Sequence, residues 1–219
     1  MTVDVFSDIT CPFCYIGKRH LEGALAELGI SDAEIRFRSF ELDPTVADSD
    51  LGTPSTVNLA AKKGMSVADA ERMTQAVAYR ASQVGIQMDF TKAKVVRTRD
   101  AHRLLQWARA QSLEAAARLK EELMRDYFCE GVNLNGADAL ADAAARAGLD
   151  REAAHAVASD PTAFNSEVES DVAYAQKLNV RGVPFFVFNN RIGLSGAQPV
   201  ATFAAAMRES MGETSGEQA

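Results

Sequence analysis

Cysteine is scarce in this chain of 219 residues, which carries only Cys11, Cys14 and Cys129. Three thiols cannot all pair within one chain, so a disulfide-stapled secreted fold is disfavoured and a reducing compartment is the better match. Histidine is equally sparse: His20, His102 and His155 show no paired spacing, which leaves two closely spaced cysteines without the partners a zinc site requires. Dense Lys/Arg runs are missing and the formal charge is −7, which argues against nucleic acid or an anionic membrane surface as the main partner. No apolar run approaches a membrane span, and Met1-Thr2-Val3-Asp4 has neither a basic n-region nor an apolar h-region, so the expectation is a cytoplasmic protein. No internal repeat is apparent. What the chain does have is 47% apolar residues, ample for a packed core.

The most informative stretch is Cys11-Pro12-Phe13-Cys14, between a short alternating segment and a helical pattern. A Cys-x-x-Cys at a strand-to-helix junction reads as a redox pair. The first cysteine lies beside unpaired backbone N–H groups and the positive end of the helix dipole, both of which favour its thiolate. The second is on the same face, close enough to form a disulfide or to resolve a mixed one. On the residues alone, half of a zinc site and a pair of inert buried thiols stay open as alternatives.

Around this motif the elements follow from periodicity. Val3 to Ser7 reads as a strand, and Phe13 to Leu28 as an amphipathic helix stopped by Gly29. Ile35 to Leu42 reads as a second strand whose phase slips near Ser39, which predicts an end or bulge there. Asp48 to Pro54 reads as a loop. From Thr56 to Asn179 the pattern is Ala-rich and helical without a convincing strand, too long for a loop and therefore a helical domain or insertion. Within it, Ser66 and Asp69 form an acidic capping box, and helices are predicted at 100–111, 113–129, 137–147 and 151–158, then another starting from Asp160-Pro161. A strand returns at Val183 to Phe188, Asn189-Asn190 makes a hairpin turn into Arg191 to Leu194, and Pro199 opens a final helix. The tail, 212–219, reads as disordered.

In its order of elements the chain resembles the DsbA family, an α/β thioredoxin-like fold interrupted by an all-helical insertion, and is most similar to the cytoplasmic FrnE-like branch. The likeness rests on Ser7 to Gly17, on Ala101-His102-Arg103-Leu104, on Phe128 with Glu130-Gly131, and on Gly182-Val183-Pro184 with Ser195-Gly196-Ala197-Gln198. It implies a thioredoxin-like domain from 1–44 and 180–211 and an insertion domain at 56–179. One departure is Arg97, at a place before Thr98 where the family often has asparagine, so the family's small-ligand contacts there are not carried over.

The expected site follows. Cys11 is the candidate nucleophile and Cys14 the resolving thiol, with Pro12 and Phe13 setting the surroundings of the sulfur. Because Pro12-Phe13 adds no positive charge, a potential of about −200 to −230 mV is expected, more reducing than the strongest oxidants of this kind. The resemblance implies that Pro184 is held cis opposite the motif, leaving Val183 backbone groups free to pair with an extended substrate; the alternative is an ordinary edge-strand proline. His102 and Cys129 are candidate cleft residues, the first as a proton shuttle or a packed cap, the second as a further redox thiol or a small buried hydrophobe. His20, Trp107, Tyr127 and Phe128 read as packing residues.

The leading function is thiol–disulfide oxidoreduction, needing no cofactor beyond the Cys11–Cys14 pair, no metal, and glutathione only as a candidate co-substrate. Its partners would be a protein or small-molecule thiol and an unidentified recycling protein. A glutathione-dependent isomerase of an aromatic or polyketide-type molecule is the alternative, since 2-hydroxychromene-2-carboxylate isomerases share the layout but generally have serine in place of the first cysteine. A peptide-binding holdase without turnover is a third.

Overall fold

The computed structural model describes residues 1–212; the expected disorder of the tail lies, beyond Gly212, outside the described residues. Four strands form one sheet in the order β2-β1-β3-β4, with β1 (Thr2–Ser7), β2 (Glu34–Ser39), β3 (Phe185–Phe188) and β4 (Ile192–Ser195). β1 pairs parallel with β2, with Val5 opposite Phe37, and antiparallel with β3, with Val5 opposite Phe186. The parallel pair needs a crossover, and α1 (Pro12–Glu27) supplies it. Asn189 and Asn190 take φ of 49° and 54°, the left-handed pair that lets β3 turn directly into β4.

One sheet face carries Val3, Val5, Phe37, Phe186 and Phe188 against Leu21 and Leu25 of α1 and Phe203 and Met207 of α9 (Val200–Met211). Gly17 permits the close approach of α1: a Cβ there would sit 3.1 Å from the Phe186 ring and 3.2 Å from Pro184. On the opposite face Asp4 is buried. It pairs with Arg38, which also reaches Asp171 on α8 (Asn165–Lys177), so ion pairs cover that face beside an apolar cluster of Phe6, Ala175, Val180 and Val187. The strand β2 ends at Ser39 as the phase slip predicts, and the amide of Leu42 is spent on the Asp8 carboxylate at 2.7 Å.

Between β2 and β3 lie α2 (Ser55–Lys63), α3 (Val67–Ser82), α4 (Arg99–Gln111), α5 (Leu113–Arg125), α6 (Ala137–Arg146), α7 (Arg151–Ser159) and α8. The fold is thus a thioredoxin-like α/β sheet with a large all-helical insertion. Two helix boundaries differ from the periodicity. The helix predicted over 113–129 gives way at Asp126–Glu130 to a single π turn, closed by Gly131 at φ 72°. Only glycine fits there, because a Cβ would stand 2.3 Å from Lys92 Cβ and 3.1 Å from its carbonyl oxygen. The helix expected from Asp160-Pro161 starts instead at Asn165, after Phe164 at φ 57°. The buried guanidinium of Arg103 takes the carbonyls of Val157, Ala158, Asp160 and Ala163, which fixes this connection as a turn rather than a helical start.

Candidate active site

The N-terminus of α1 creates the site. Cys11 is its N-cap residue, with φ −91° and ψ 110°, and Pro12 stands at the first helical position, where its missing N–H costs nothing. Neither cap side chain nor first-turn acid satisfies the helix start, so its N–H groups and dipole face the Cys11 sulfur. Cys11 and Cys14 are both buried and both free thiols. Their titrations are pushed apart. The Cys14 thiol, hydrogen-bonded to Cys11, is the largest influence lowering the Cys11 pKa, with backbone N–H donors adding to it against the cost of burial. Burial first, and the hydrogen bond to Cys11 second, push Cys14 well above the ordinary thiol value. Of the two sulfurs, Cys11 is therefore the one disposed to the thiolate form and Cys14 the one held protonated.

Opposite them, the Val183–Pro184 peptide is cis, and the Cys11 thiol donates to the Val183 carbonyl at 3.4 Å. The structure thus brings Cys11, Cys14, Val183 and Pro184 together across most of the sequence. Phe13 projects outward, partly exposed, and with Ile16, His20, Arg80, Gln83, Val84 and Ala197 lines a shallow groove of about 210 Å³ beside the motif. Pro12 is half-buried and is not part of this lining. His20 packs here, its Nδ1 2.6 Å from the Gln198 carbonyl.

His102 does not line the groove. It is 1% exposed and lies beneath the motif, with Nε2 3.5 Å from Asp8 Oδ1 and without a hydrogen-bond partner. Cys129 is a half-buried free thiol packed at the margin of the core that holds the two motif cysteines. Burial, then the charge of Glu130, raise its pKa, which makes it a poor nucleophile. Tyr127 and Phe128 are core, in edge-to-face contact at 4.8 Å between ring centres, and Trp107 is partly buried against the same cluster. Among the described residues, no group of three or more His, Cys, Asp or Glu side chains converges as a metal site would.

Two residues that sequence reasoning did not single out belong to this site. Asp8 is fully buried and accepts from Thr98 Oγ1 at 3.2 Å as well as from Leu42 N. Burial opposes its ionisation, but His102, the Leu42 amide and Lys120 together hold its carboxyl below the usual range. Lys120, on α5, is 1% exposed. A signal for it existed: four residues after Ala116 and three before Leu123, it occupies an apolar position of an amphipathic helix.

A dithiol whose two sulfurs are so differently poised, on a thioredoxin-like sheet and facing a cis-proline, defines a thiol–disulfide oxidoreductase. The model of the DSBA-like thioredoxin domain matches residues 2–208. A probable DsbA oxidoreductase from Streptomyces coelicolor superposes with a TM-score of 0.91 at 36% identity, covering 100% of this chain and 93% of that one. The chain belongs to the family of DSBA-like thioredoxin domains, and Cys11 and Cys14 form its redox pair. Two more distant structures share the fold. A 2-hydroxychromene-2-carboxylate isomerase aligns at a TM-score of 0.67 and 21% identity over 98% of this chain and 100% of that one. The cytosolic disulfide reductase DsbM from Pseudomonas aeruginosa aligns at 0.65 and 16% identity, with the same coverage. None of the curated proteins compared with the chain matches it.

Proposed function

We propose that the protein exchanges disulfides through a covalent intermediate on Cys11, as a member of the FrnE-like branch of its family. The Cys11 thiolate attacks a substrate disulfide, forming a Cys11–substrate disulfide and releasing one substrate thiolate. Cys14, having lost its proton, then attacks Cys11; the Cys11–Cys14 disulfide forms and the second substrate thiolate leaves. The reverse sequence oxidises a dithiol. The observation that carries this reading is the asymmetry of the pair: Cys11 sits at the helix start with its thiol lowered, and Cys14 is buried with its thiol raised.

Val183 and Pro184 form the wall along which an extended substrate would lie, with the groove beside Phe13 for its side chain. The substrate in this reading is a protein or small-molecule disulfide, recycled by a second thiol partner. Cytosolic residence is supported by the thiol count and by the description of DsbM, although that relative shares only the fold. The isomerase reading gains nothing from its structural relative, whose likeness is likewise one of fold, and the chain retains Cys11.

The test is intermediate trapping. Cys14→Ser incubated with glutathione disulfide should accumulate a glutathione adduct on Cys11, visible as a mass increase reversed by reductant. Cys11→Ser should form no such adduct and no turnover. Equal turnover by Cys11→Ser and wild type would sink the reading.

A further inference from the structure

Lys120 is a lysine only 1% exposed, and the groups that act on its charge, Cys14, Asp8 and Cys11, do so through space rather than through a hydrogen bond. Removing an ammonium from water without a fixed partner is costly, so such a group is retained where its charge or its proton has a use. Its place in the fold is set by its neighbour. Glu121, the next residue on α5, accepts from Tyr15 at 2.5 Å and from Lys18 at 2.8 Å, and also binds Arg19, all three on α1. That clamp ties α5 through its Glu121 side chain to the helix that begins at the motif, while Lys120 is turned inward. There, Leu119, Leu123 and Met124 of α5 share one continuous core with Cys11, Cys14 and Tyr15.

We infer that Lys120 is the counter-charge of the redox pair, contributed by the insertion: its ammonium stabilises the Cys11 thiolate and so makes the Cys11–Cys14 disulfide the stronger oxidant. This rests on the proposed function and goes beyond it. The groups that act on Lys120 are, after burial itself, Cys14, Asp8 and Cys11. Around them, Asp8 from the β1–α1 loop opposes the Cys11 thiolate, His102 from α4 faces Asp8, and Tyr127 from the π turn lies within reach of the Asp8 charge. Lys120 is thus the lysine set against two sulfurs and a carboxylate. Pro12-Phe13 lacks a positive charge, and α5 makes up that lack from behind. When the pair is oxidised, the thiolate disappears and Lys120 loses an anionic neighbour. The coupling is reciprocal: whatever Lys120 does for the thiolate, the thiolate does for the lysine's proton.

The experiment measures two quantities on the whole chain: the equilibrium constant of the Cys11–Cys14 disulfide in glutathione redox buffers, and the Cys11 thiolate titration at 240 nm. Lys120→Met should shift the equilibrium toward the disulfide by about tenfold or more, equivalent to about 30 mV, and raise the thiolate midpoint. Lys120→Arg should recover most of both. Wild-type values in Lys120→Met would overturn the inference. Should Lys120→Met fail to fold, the side-chain ¹⁵N signal of Lys120 in the wild type, assigned through Lys120→Arg, serves instead. Its titration midpoint should be higher in the reduced protein than in the oxidised one, and equal midpoints would overturn the inference. Failure of the functional reading looks different, since the wild-type pair itself would then not equilibrate with glutathione.

Discussion

Tyr15 and Glu121 are joined by a hydrogen bond of 2.5 Å across 106 positions of sequence, and this contact fastens the redox helix to the insertion. Burial works against the ionised Glu121, but Arg19, Lys18 and Tyr15 together bring its pKa down to about 2. Since the folded-state value lies below the unfolded value of about 4.3, the unfolded chain takes up the proton first. The stabilisation is complete above about pH 4.3 and is lost as pH falls toward 2. Glu121→Gln should therefore cost about 1–2 kcal/mol at neutral pH, discounted for the partial exposure of the carboxylate, and should flatten the acid limb of the stability curve. Urea unfolding of both proteins between pH 7 and pH 3 checks this.

The pair of sulfurs makes a second expectation. Donation by Cys14 is the largest influence on the Cys11 pKa, so removing it while keeping the fold should raise the thiolate midpoint. In wild type the absorbance at 240 nm should rise with a midpoint below the free-thiol value of about 8.5, and in Cys14→Ala it should move upward. An unchanged midpoint would mean that the helix start alone sets the thiolate.

Arg103 supports the insertion in a way that a substitution exposes. Its guanidinium binds the carbonyls of Val157, Ala158, Asp160 and Ala163 and the Asp100 carboxylate at 2.8 Å. Arg103→Leu leaves the buried Ala158 carbonyl and three part-buried ones without their donor, at ~1–3 kcal/mol for a buried acceptor and less where water reaches, and about 3–5 kcal/mol is expected in total once the loop relaxes. Chemical denaturation measures the loss. The Cys11 titration of the folded fraction should stay at its wild-type midpoint, because Arg103 does not face the motif.

These cases show which parts of the molecule local rules reveal. Val3 to Ser7, the motif helix and the Asn189-Asn190 turn are each specified by neighbours within a few positions, and periodicity or turn chemistry finds them. The phase slip at Ser39 was also legible, although its cause, the Leu42 amide held by Asp8, depends on a contact 34 positions away. Asp8, Lys120 and Arg103 escape such rules. Asp8 and Arg103 are buried by groups from other elements, which no local pattern marks, and Lys120 is betrayed only by its apolar position on α5. The start of α8 was misplaced for the same reason: Asp160-Pro161 has the right local chemistry, and Arg103, 57 positions earlier, redirects its carbonyl. The pairing of Cys11 with Pro184 was reached only through family resemblance.

The Val183 carbonyl adds an ordering to turnover. In the dithiol with Cys11 protonated, it is occupied by the Cys11 thiol itself, at 3.4 Å. Once the two sulfurs have joined there is no S–H to donate, and the same oxygen is offered to a backbone N–H of an extended peptide. Below the Cys11 thiolate midpoint, the oxidised protein should therefore hold a peptide more tightly than the reduced one, by the roughly 0.5–1.5 kcal/mol of one hydrogen bond, which titration calorimetry of a cysteine-free peptide against both redox forms can resolve. Under the proposed function, such a protein would grip an extended peptide in its disulfide form and loosen that grip when the pair is reduced and Cys11 carries its proton.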